Sequence, residues 1–533
     1  MVNPITPPAP RGAVLAALGV AIVAYITSLR GGFLGDDFVY LARFHAMSLS
    51  EWPRLFLQEW SGGIWGFQLK ELRPMAALTF IVESRLWGAN ALGYRVVNLL
   101  LFLVSTWMVV ELAWRYSSGR TIAAVLAGLF FPLHPVQVEP VTWIVGRVDL
   151  LATCAALVFW NAAERYADTG RRWTLVLASL ALAGGVFSKE LCLLAPALLF
   201  ASWLLLPGKT KTPWARRLAL GVAIALVVGA YAWCRQLAFG TSAISPNSNW
   251  QDAGSWQRQA SYAGWIFPWL PFGKSSEFPA PPPVGVIQAV CGAILFTTIL
   301  GAIWARWRQQ PLAAAAFFFG GVWWAATILP LVLVHYFSPR HLHFGTTGLA
   351  ISAGLLVSLL PSRRLQVGVA LLLCGWLGAA QIGVSNAWQD AARISREALV
   401  AFQREVASQP PGAVAVLAAP THWRGAWLFS WSAPHLALPP FLQPGLTLDT
   451  VFAAGGNYYQ SDHWAGVVAE RAPAAIAQAP ALVVLHVTAD GRIVCRSLQG
   501  QDLLFAAAEL ASRTRDGITE AEWNEWIQLV AHR

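Results

Sequence analysis

Chemically capable residues in this chain come in a few short charged stretches between long apolar runs. Asp36-Asp37 follows Gly31, Gly32 and Gly35, directly after the first apolar run. Two adjacent carboxylates there suit a general base held over a membrane surface, where partial burial raises a carboxyl pKa toward neutrality. The alternative is a solvated helix start with Asp37 as cap. His134-Pro135 and Glu139 come next, followed by Gly146-Arg147-Val148-Asp149. Arg147 and Asp149 are either an ion pair that lets a helix enter lipid or part of a site. Ser188-Lys189-Glu190 interrupts an apolar hairpin, and a Lys–Glu pair is a poor choice for a mere turn in that setting. Ionisable groups at membrane depth are costly and point to function. His335, Arg340, His341 and His343 form the last cluster. No ligand spacing among them is diagnostic, so no metal site is expected.

The elements that must position these groups are apolar. Of 533 residues, 56% are hydrophobic and 12% charged, about half the charged share of a soluble domain, with mean hydropathy +0.52. The fold class expected is therefore an α-helical polytopic membrane protein. Eleven spans are expected, near 12–29, 94–114, 121–133, 148–165, 173–188, 190–206, 216–238, 284–305, 312–334, 344–361 and 365–385, most of them near the ~20 residues a bilayer core requires and the third and fifth short of it. Many of the 28 Trp sit at run edges, the depth indole prefers. The first run has no small-residue cleavage site before Arg30 and reads as an uncleaved anchor.

Basic residues gather in alternate short loops: Arg11; Arg115 and Arg120; Arg165, Arg171 and Arg172; Lys209 to Arg217; Arg306 and Arg308; Arg363 and Arg364. The positive-inside rule places these, and the N-terminus, in the cytoplasm. The charged stretches then all fall on the opposite face, where one cavity could collect them. These loops also account for the net charge of +10, and no nucleic-acid partner is expected. Five cysteines lie in apolar runs and no CxxC pair occurs, which excludes a zinc finger or disulfide scaffold.

Two long segments lie outside the bilayer on the far face. Arg30–Tyr94 contains the apolar stretch Pro74–Leu86, whose Glu83 and Arg85 favour an interfacial helix. Gly240–Pro283 reads as a partly ordered loop. Beyond residue 385 the pattern changes. Ala413–Ala419 and Ala481–Val487 are strand-like, and Asp490-Gly491 leads the second into a hairpin with Arg492–Leu498. Thr519 with Glu522 is a capping box for a helix Glu520–Ala531. The expected division is a membrane domain over 1–390 and a small extracytoplasmic α/β domain over 391–533.

In order, Gly35-Asp36-Asp37, Arg73-Pro74, Leu78-Thr79-Phe80, Asn98-Leu99-Leu100, His134-Pro135 through Glu139, Trp143, Gly146-Arg147 and Asp149-Leu150-Leu151, Ser188-Lys189-Glu190 and Arg340-His341-Leu342-His343 resemble the GT-C glycosyltransferase superfamily. The resemblance is strongest to the membrane O-mannosyltransferases whose tails carry tetratricopeptide repeats, and His134 to Leu151 is its most specific part. It implies inverting transfer of one sugar from a polyprenyl-phosphate carrier to an acceptor hydroxyl, on a protein or a glycan, at the periplasmic face of a bacterial inner membrane. By carry-over, Asp36 is the base with Asp37 assisting, and Arg147, Lys189 and Arg340 hold the donor phosphate. Arg73, His134, Glu139, Asp149, Glu190, His341 and His343 support them. No cofactor is required, with a divalent cation left open. The chain departs from the family at His341, where an aromatic residue is usual, and in lacking the repeat tail. The competing class is a transporter or lipid-linked sugar flippase, which would more naturally show paired inverted halves with broken helices.

Overall fold

The structure is a computed structural model that describes residues 7–64, 69–205, 212–241, 319–327, 338–442, 448–453, 461–514 and 517–532. Among these residues, four helices are long and apolar enough to cross a membrane: Arg11–Arg30, Ala91–Tyr116, Trp214–Phe239 and Arg363–Ala407. A bent pair, Thr121–Leu133 with Pro135–Thr142, makes a fifth if counted as one broken span. The expected span 284–305, most of 312–334, and the loop from residue 242 to 283 lie outside the described residues.

Helix α1 (Arg11–Tyr25) runs into a 3-10 turn ending at Arg30. A short α2 (Asp37–Ala46) follows, then α3 (Pro74–Trp87), where proline at the first helical position costs no hydrogen bond. Of the two charged side chains that suggested an interfacial α3, Glu83 is buried in the protein and Arg85 stays at the surface. Glu83 pairs with Arg147, and Arg85 donates to the Ile81 carbonyl at 2.6 Å. α4 (Ala91–Tyr116) and α5 (Thr121–Leu133) form the centre of the bundle with α1. Tyr25 of α1 meets Phe102 of α4 edge-on at 5.1 Å and donates to the Pro132 carbonyl of α5.

The chain then bends by 53° at His134-Pro135. Proline cannot donate to the preceding turn, and His134 Nδ1 accepts from the Val136 N–H to start a new one. A one-turn α6 (Val138–Thr142) leads to α7 (Arg147–Thr169), which ends at Gly170 in the left-handed region. Among the described residues, α8 (Arg172–Val186), α9 (Leu194–Leu205), α10 (Trp214–Phe239) and α11 (His343–Ser358) pack around it.

Helix α12 (Arg363–Ala407) extends well past the apolar run expected to end at 385. Hydropathy falls there, but Ala391, Ala392, Ile394, Ala398 and Phe402 keep one face buried, so the helix continues as an amphipathic one. No break occurs at residue 390. Beyond it lies a four-stranded mixed sheet in the order β4-β1-β5-β6. β1 (Ala413–Ala418) pairs in parallel with β4 (Leu448–Ala453) and β5 (Leu482–Val487), and β5 turns back antiparallel into β6 (Ile493–Leu498). The strands and hairpin fall where the sequence put them. So does the last helix, Glu520–His532, whose Thr519 and Glu522 exchange both capping bonds. A small second pair, β2 (His422–Trp423) with β3 (Ala426–Trp427), projects toward the membrane helices.

Candidate active site

The acidic loop is held from three sides. Asp36 stands at the N-cap position of α2 without a side-chain capping bond, and Asp37, expected as the cap, is instead the first helical residue. The fully buried Asp37 carboxylate accepts the Leu34 N–H at 2.8 Å and the Val145 N–H at 2.9 Å, stapling the loop to the segment that starts α7. Burial pushes the Asp37 carboxyl up to about 7, against the pull of these two N–H bonds and of Arg95. Trp143 Nε1 donates to the Leu34 carbonyl at 2.9 Å, and Asn98 Nδ2 donates to the Trp143 carbonyl at 3.0 Å. The third side is the tail. Gly35 donates to the Leu428 carbonyl at 2.8 Å and accepts from Ser432 Oγ at 2.6 Å. Gly35 has φ of +48°, a conformation glycine adopts without strain, and Trp427 lies against it. Phe38 and Phe33 each pack on Phe441 at 4.9 Å.

The late cations converge. Asp149 accepts Lys189 Nζ at 2.5 Å and has Arg340 Nε at 3.9 Å. Arg340 also pairs with Glu139 at 2.7 Å, and the same carboxylate accepts Ser338 Oγ at 2.5 Å. Arg73 pairs with Glu71 at 2.7 Å and lies within electrostatic reach of Lys189, Glu190 and His341. Burial lowers the Lys189 ammonium below its usual value, against the pull of Asp149. His341 is held well below the usual imidazole range by burial and by Lys189, Arg340 and Arg73, so it is neutral at physiological pH. Its Nδ1 accepts the Ser338 N–H. Trp143 joins the two halves of the site: its N–H holds the acidic loop, while its ring face carries the Arg340 guanidinium at 4.8 Å.

Arg147 differs from the other cations. Its side chain is 0% exposed, against 14% for Arg73, 14% for Lys189 and 13% for Arg340. Nε donates to Asn98 Oδ1 at 2.8 Å, one terminal nitrogen to the Tyr94 carbonyl at 2.6 Å, and the other to Glu83 and Thr79. Four of its five N–H donors are taken up by the protein. His343 bonds Gln137 through Nδ1, and Glu190 has Arg235 at 3.5 Å. His335 lies outside the described residues. Among the described residues, no three His, Cys, Asp or Glu side chains gather as a metal site.

Sequence reasoning missed Glu71, Arg235 and the tail residues Leu428 and Ser432. Glu71 lay in the long segment read as lying outside the bilayer, and Arg235 near the end of an apolar run gave a signal of the same kind as Lys189. Nothing in the pattern around Ser432 marks it.

The resemblance read from the motifs is found across about a third of the chain. It is 32% identical over 195 residues to Protein O-mannosyl-transferase Tmtc2 of Drosophila melanogaster, covering 34% of this chain and 20% of that protein. It is 30% identical over 187 residues to Tmtc1 of the same organism, covering 33% and 21%. To human TMTC4 it is 34% identical over 161 residues, covering 27% and 21%. The matched region thus spans about a fifth of the length of these curated relatives. No protein-family model matches. Among solved structures, ArnT from Cupriavidus metallidurans bound to undecaprenyl phosphate superposes with a TM-score of 0.48 at 14% identity, over 90% of this chain and 94% of that one. The apo oligosaccharyltransferase of Archaeoglobus fulgidus gives 0.46 at 13% identity, over 81% and 65%.

Proposed function

We propose that this chain is a GT-C-like membrane glycosyltransferase that moves a single sugar, with inversion, from a polyprenyl-phosphate carrier to a protein or glycan hydroxyl. The observation that carries the reading is the meeting of Arg73, Lys189 and Arg340, from three distant parts of the chain, beside Trp143 and the Asp36 loop.

A lipid phosphate is already a good leaving group and needs cations rather than a general acid. Asp36 takes the proton of the acceptor hydroxyl as its oxygen bonds to the anomeric carbon. The bond from that carbon to the phosphate oxygen breaks on the opposite face, and the carrier phosphate leaves with the electron pair. Lys189 and Arg340, with Arg73, stabilise its growing charge. Asp37 positions the loop, and Arg147 is assigned to holding α3, α4 and α7 together rather than to contacting phosphate. Glu139, Asp149 and Glu190 orient the cations, with His134, His341 and His343 supporting their backbone. The site requires no cofactor.

On this reading the membrane unit occupies residues 1–390 with about eleven spans and a cytoplasmic N-terminus. The tail, 391–533, is a periplasmic α/β domain on a bacterial inner membrane. The test is purified protein in nanodiscs offered radiolabelled polyprenyl-phosphate sugar or nucleotide sugar in parallel. Transfer from the lipid donor alone is expected, and transfer from the nucleotide sugar without a lipid carrier refutes the reading. Binding and translocation of the lipid donor with no transfer favours the flippase class.

A further inference from the structure

A second charged feature lies at the other end of the same helices. Arg95 and Arg115 are both on α4. Arg95 sits by the acidic loop, where it donates to the Ser28 carbonyl. At about 1.5 Å rise per residue, Arg115 is roughly 30 Å farther along the axis, the thickness of a bilayer's hydrocarbon core. There the ends of α4 and α7, the start of α8 and the residues before α1 enclose a cavity of about 320 Å³. This is near the lower end of small-ligand sites, about 300 Å³.

Arg115, Arg165 and Arg171 line it, from three separate elements. Two carboxylates line it as well. Asp168 is neutralised by Arg115 at 2.6 Å, and Glu111 accepts the Ala9 N–H and the Trp107 indole N–H. Arg165 and Arg171 are exposed, and their side chains make no ion pair or hydrogen bond among the described residues. Arg115 is shared between Asp168 and the buried Glu164, the latter at 3.7 Å, so Arg165 and Arg171 are the two guanidiniums without a carboxylate partner among the described residues, and a phosphodiester fits between them. Trp114 and Trp173 complete the wall, and Trp173 is 55% exposed beside the apolar surface of α8. Indoles with free arginines at the end of a span mark headgroup depth. Basic pockets between membrane helices on that side bind anionic lipid headgroups.

We propose that this cavity binds the phosphodiester headgroup of an anionic phospholipid, in the leaflet opposite the candidate active site. The acyl chains lie along α8 below Trp173, while Arg165 and Arg171 hold the phosphate. The site does not depend on the transferase reading, because it is a bilayer's width from Asp36 and uses none of its residues.

The test uses the full-length protein in phosphatidylcholine nanodiscs titrated with phosphatidylglycerol. Retained lipid is counted by native mass spectrometry, and the thermal midpoint is followed in parallel. Wild type should retain phosphatidylglycerol over phosphatidylcholine and melt higher with it. Arg165→Ala and Arg171→Ala should each weaken that retention by about fivefold. Arg172→Ala, which removes the same charge next to the cavity without lining it, should not. Equal loss in Arg172→Ala, or no preference for phosphatidylglycerol, overturns the site as a general surface-charge effect. An equal midpoint shift from soluble glycerol 3-phosphate overturns the lipid assignment.

Discussion

Replacing each carboxylate of the acidic pair by its amide should separate catalysis from positioning. Asp36→Asn removes the proposed base and leaves the shape of the loop. It should cost about 10²–10⁴ in turnover, or roughly 3–5 kcal/mol of barrier, with no change in thermal midpoint. Asp37→Asn acts differently because both of its carboxylate oxygens already accept a buried backbone N–H, from Leu34 and from Val145. The amide keeps one acceptor and turns an NH2 toward the other N–H. Leaving one buried donor unpaired costs about 1–3 kcal/mol, so this variant should melt lower and lose turnover only as far as the loop slackens.

The two variants also differ in pH dependence. The folded Asp37 titrates near 7, above its ordinary 3.8. Stability contributed by its neutral form is therefore fully present below about pH 4 and lost as pH rises through about 7. Wild type should lose thermal midpoint over that window relative to Asp37→Asn, which has no carboxyl there to titrate. Differential scanning fluorimetry of the detergent-solubilised protein from pH 4 to 8 reads the stability, and transfer from a radiolabelled lipid donor reads turnover. The reasoning is refuted if Asp36→Asn keeps full turnover while Asp37→Asn abolishes it with an unmoved midpoint. If neither change matters, the catalytic reading of the loop fails.

Three further outcomes are expected. Lys189→Ala and Arg340→Ala should each weaken lipid-donor use by about tenfold or more, from the loss of charge-assisted contacts, while Arg513→Ala on the tail surface changes it little. Donor titrations check this, and equal losses in all three would remove the cations from the phosphate site. Arg147→Met strands Glu83 and should destabilise the fold by about 3–5 kcal/mol without raising the donor KM of the protein that folds. A raised donor KM at an unmoved midpoint would return Arg147 to the phosphate. Ser432→Ala loses one hydrogen bond to Gly35, worth about 1 kcal/mol, and should lower kcat a few-fold at unchanged donor KM. An unaltered kcat would show that the tail does not set the acidic loop.

What the sequence made legible follows from how local each signal was. The hairpin of Leu482–Val487 with Ile493–Leu498 was readable because its strands and its Asp490-Gly491 turn are adjacent. The cap at Thr519 was readable for the same reason. The gathering of Lys189, Arg340 and Asp149 was inferred from the sidedness of charge, a global pattern the bilayer imposes. What stayed hidden depends on distant partners. Arg147 reads the same whether it faces a ligand or Glu83, 64 residues earlier, and only packing decides. The extension of α12 to Ala407 was hidden because hydropathy ends where an amphipathic helix continues. Ser432 lies 397 residues from the carbonyl it holds.

The charge balance of the cluster bears on how the proposed site would exchange its donor. Arg73, Lys189, Arg235 and Arg340 each have a carboxylate partner, in Glu71, Asp149, Glu190 and Glu139. A group of cations buried without counterions would cost several kcal/mol per ion or lose its protons. On the proposed function, a donor phosphate would take the place of these carboxylates beside the cations. A donor phosphodiester must then compete with them, and the cations able to shift toward it are those with an open side, Arg73, Lys189 and Arg340. Asp149 is the pivot on this view, since it touches Lys189 closely and Arg340 at longer range. In the proposed reaction, when the leaving phosphate gains its second charge both cations would turn from Asp149 toward it without new charge entering the site. On the same proposal, release of the carrier would reverse that turn, so that Asp149 would serve both to pair the cations and to let product go.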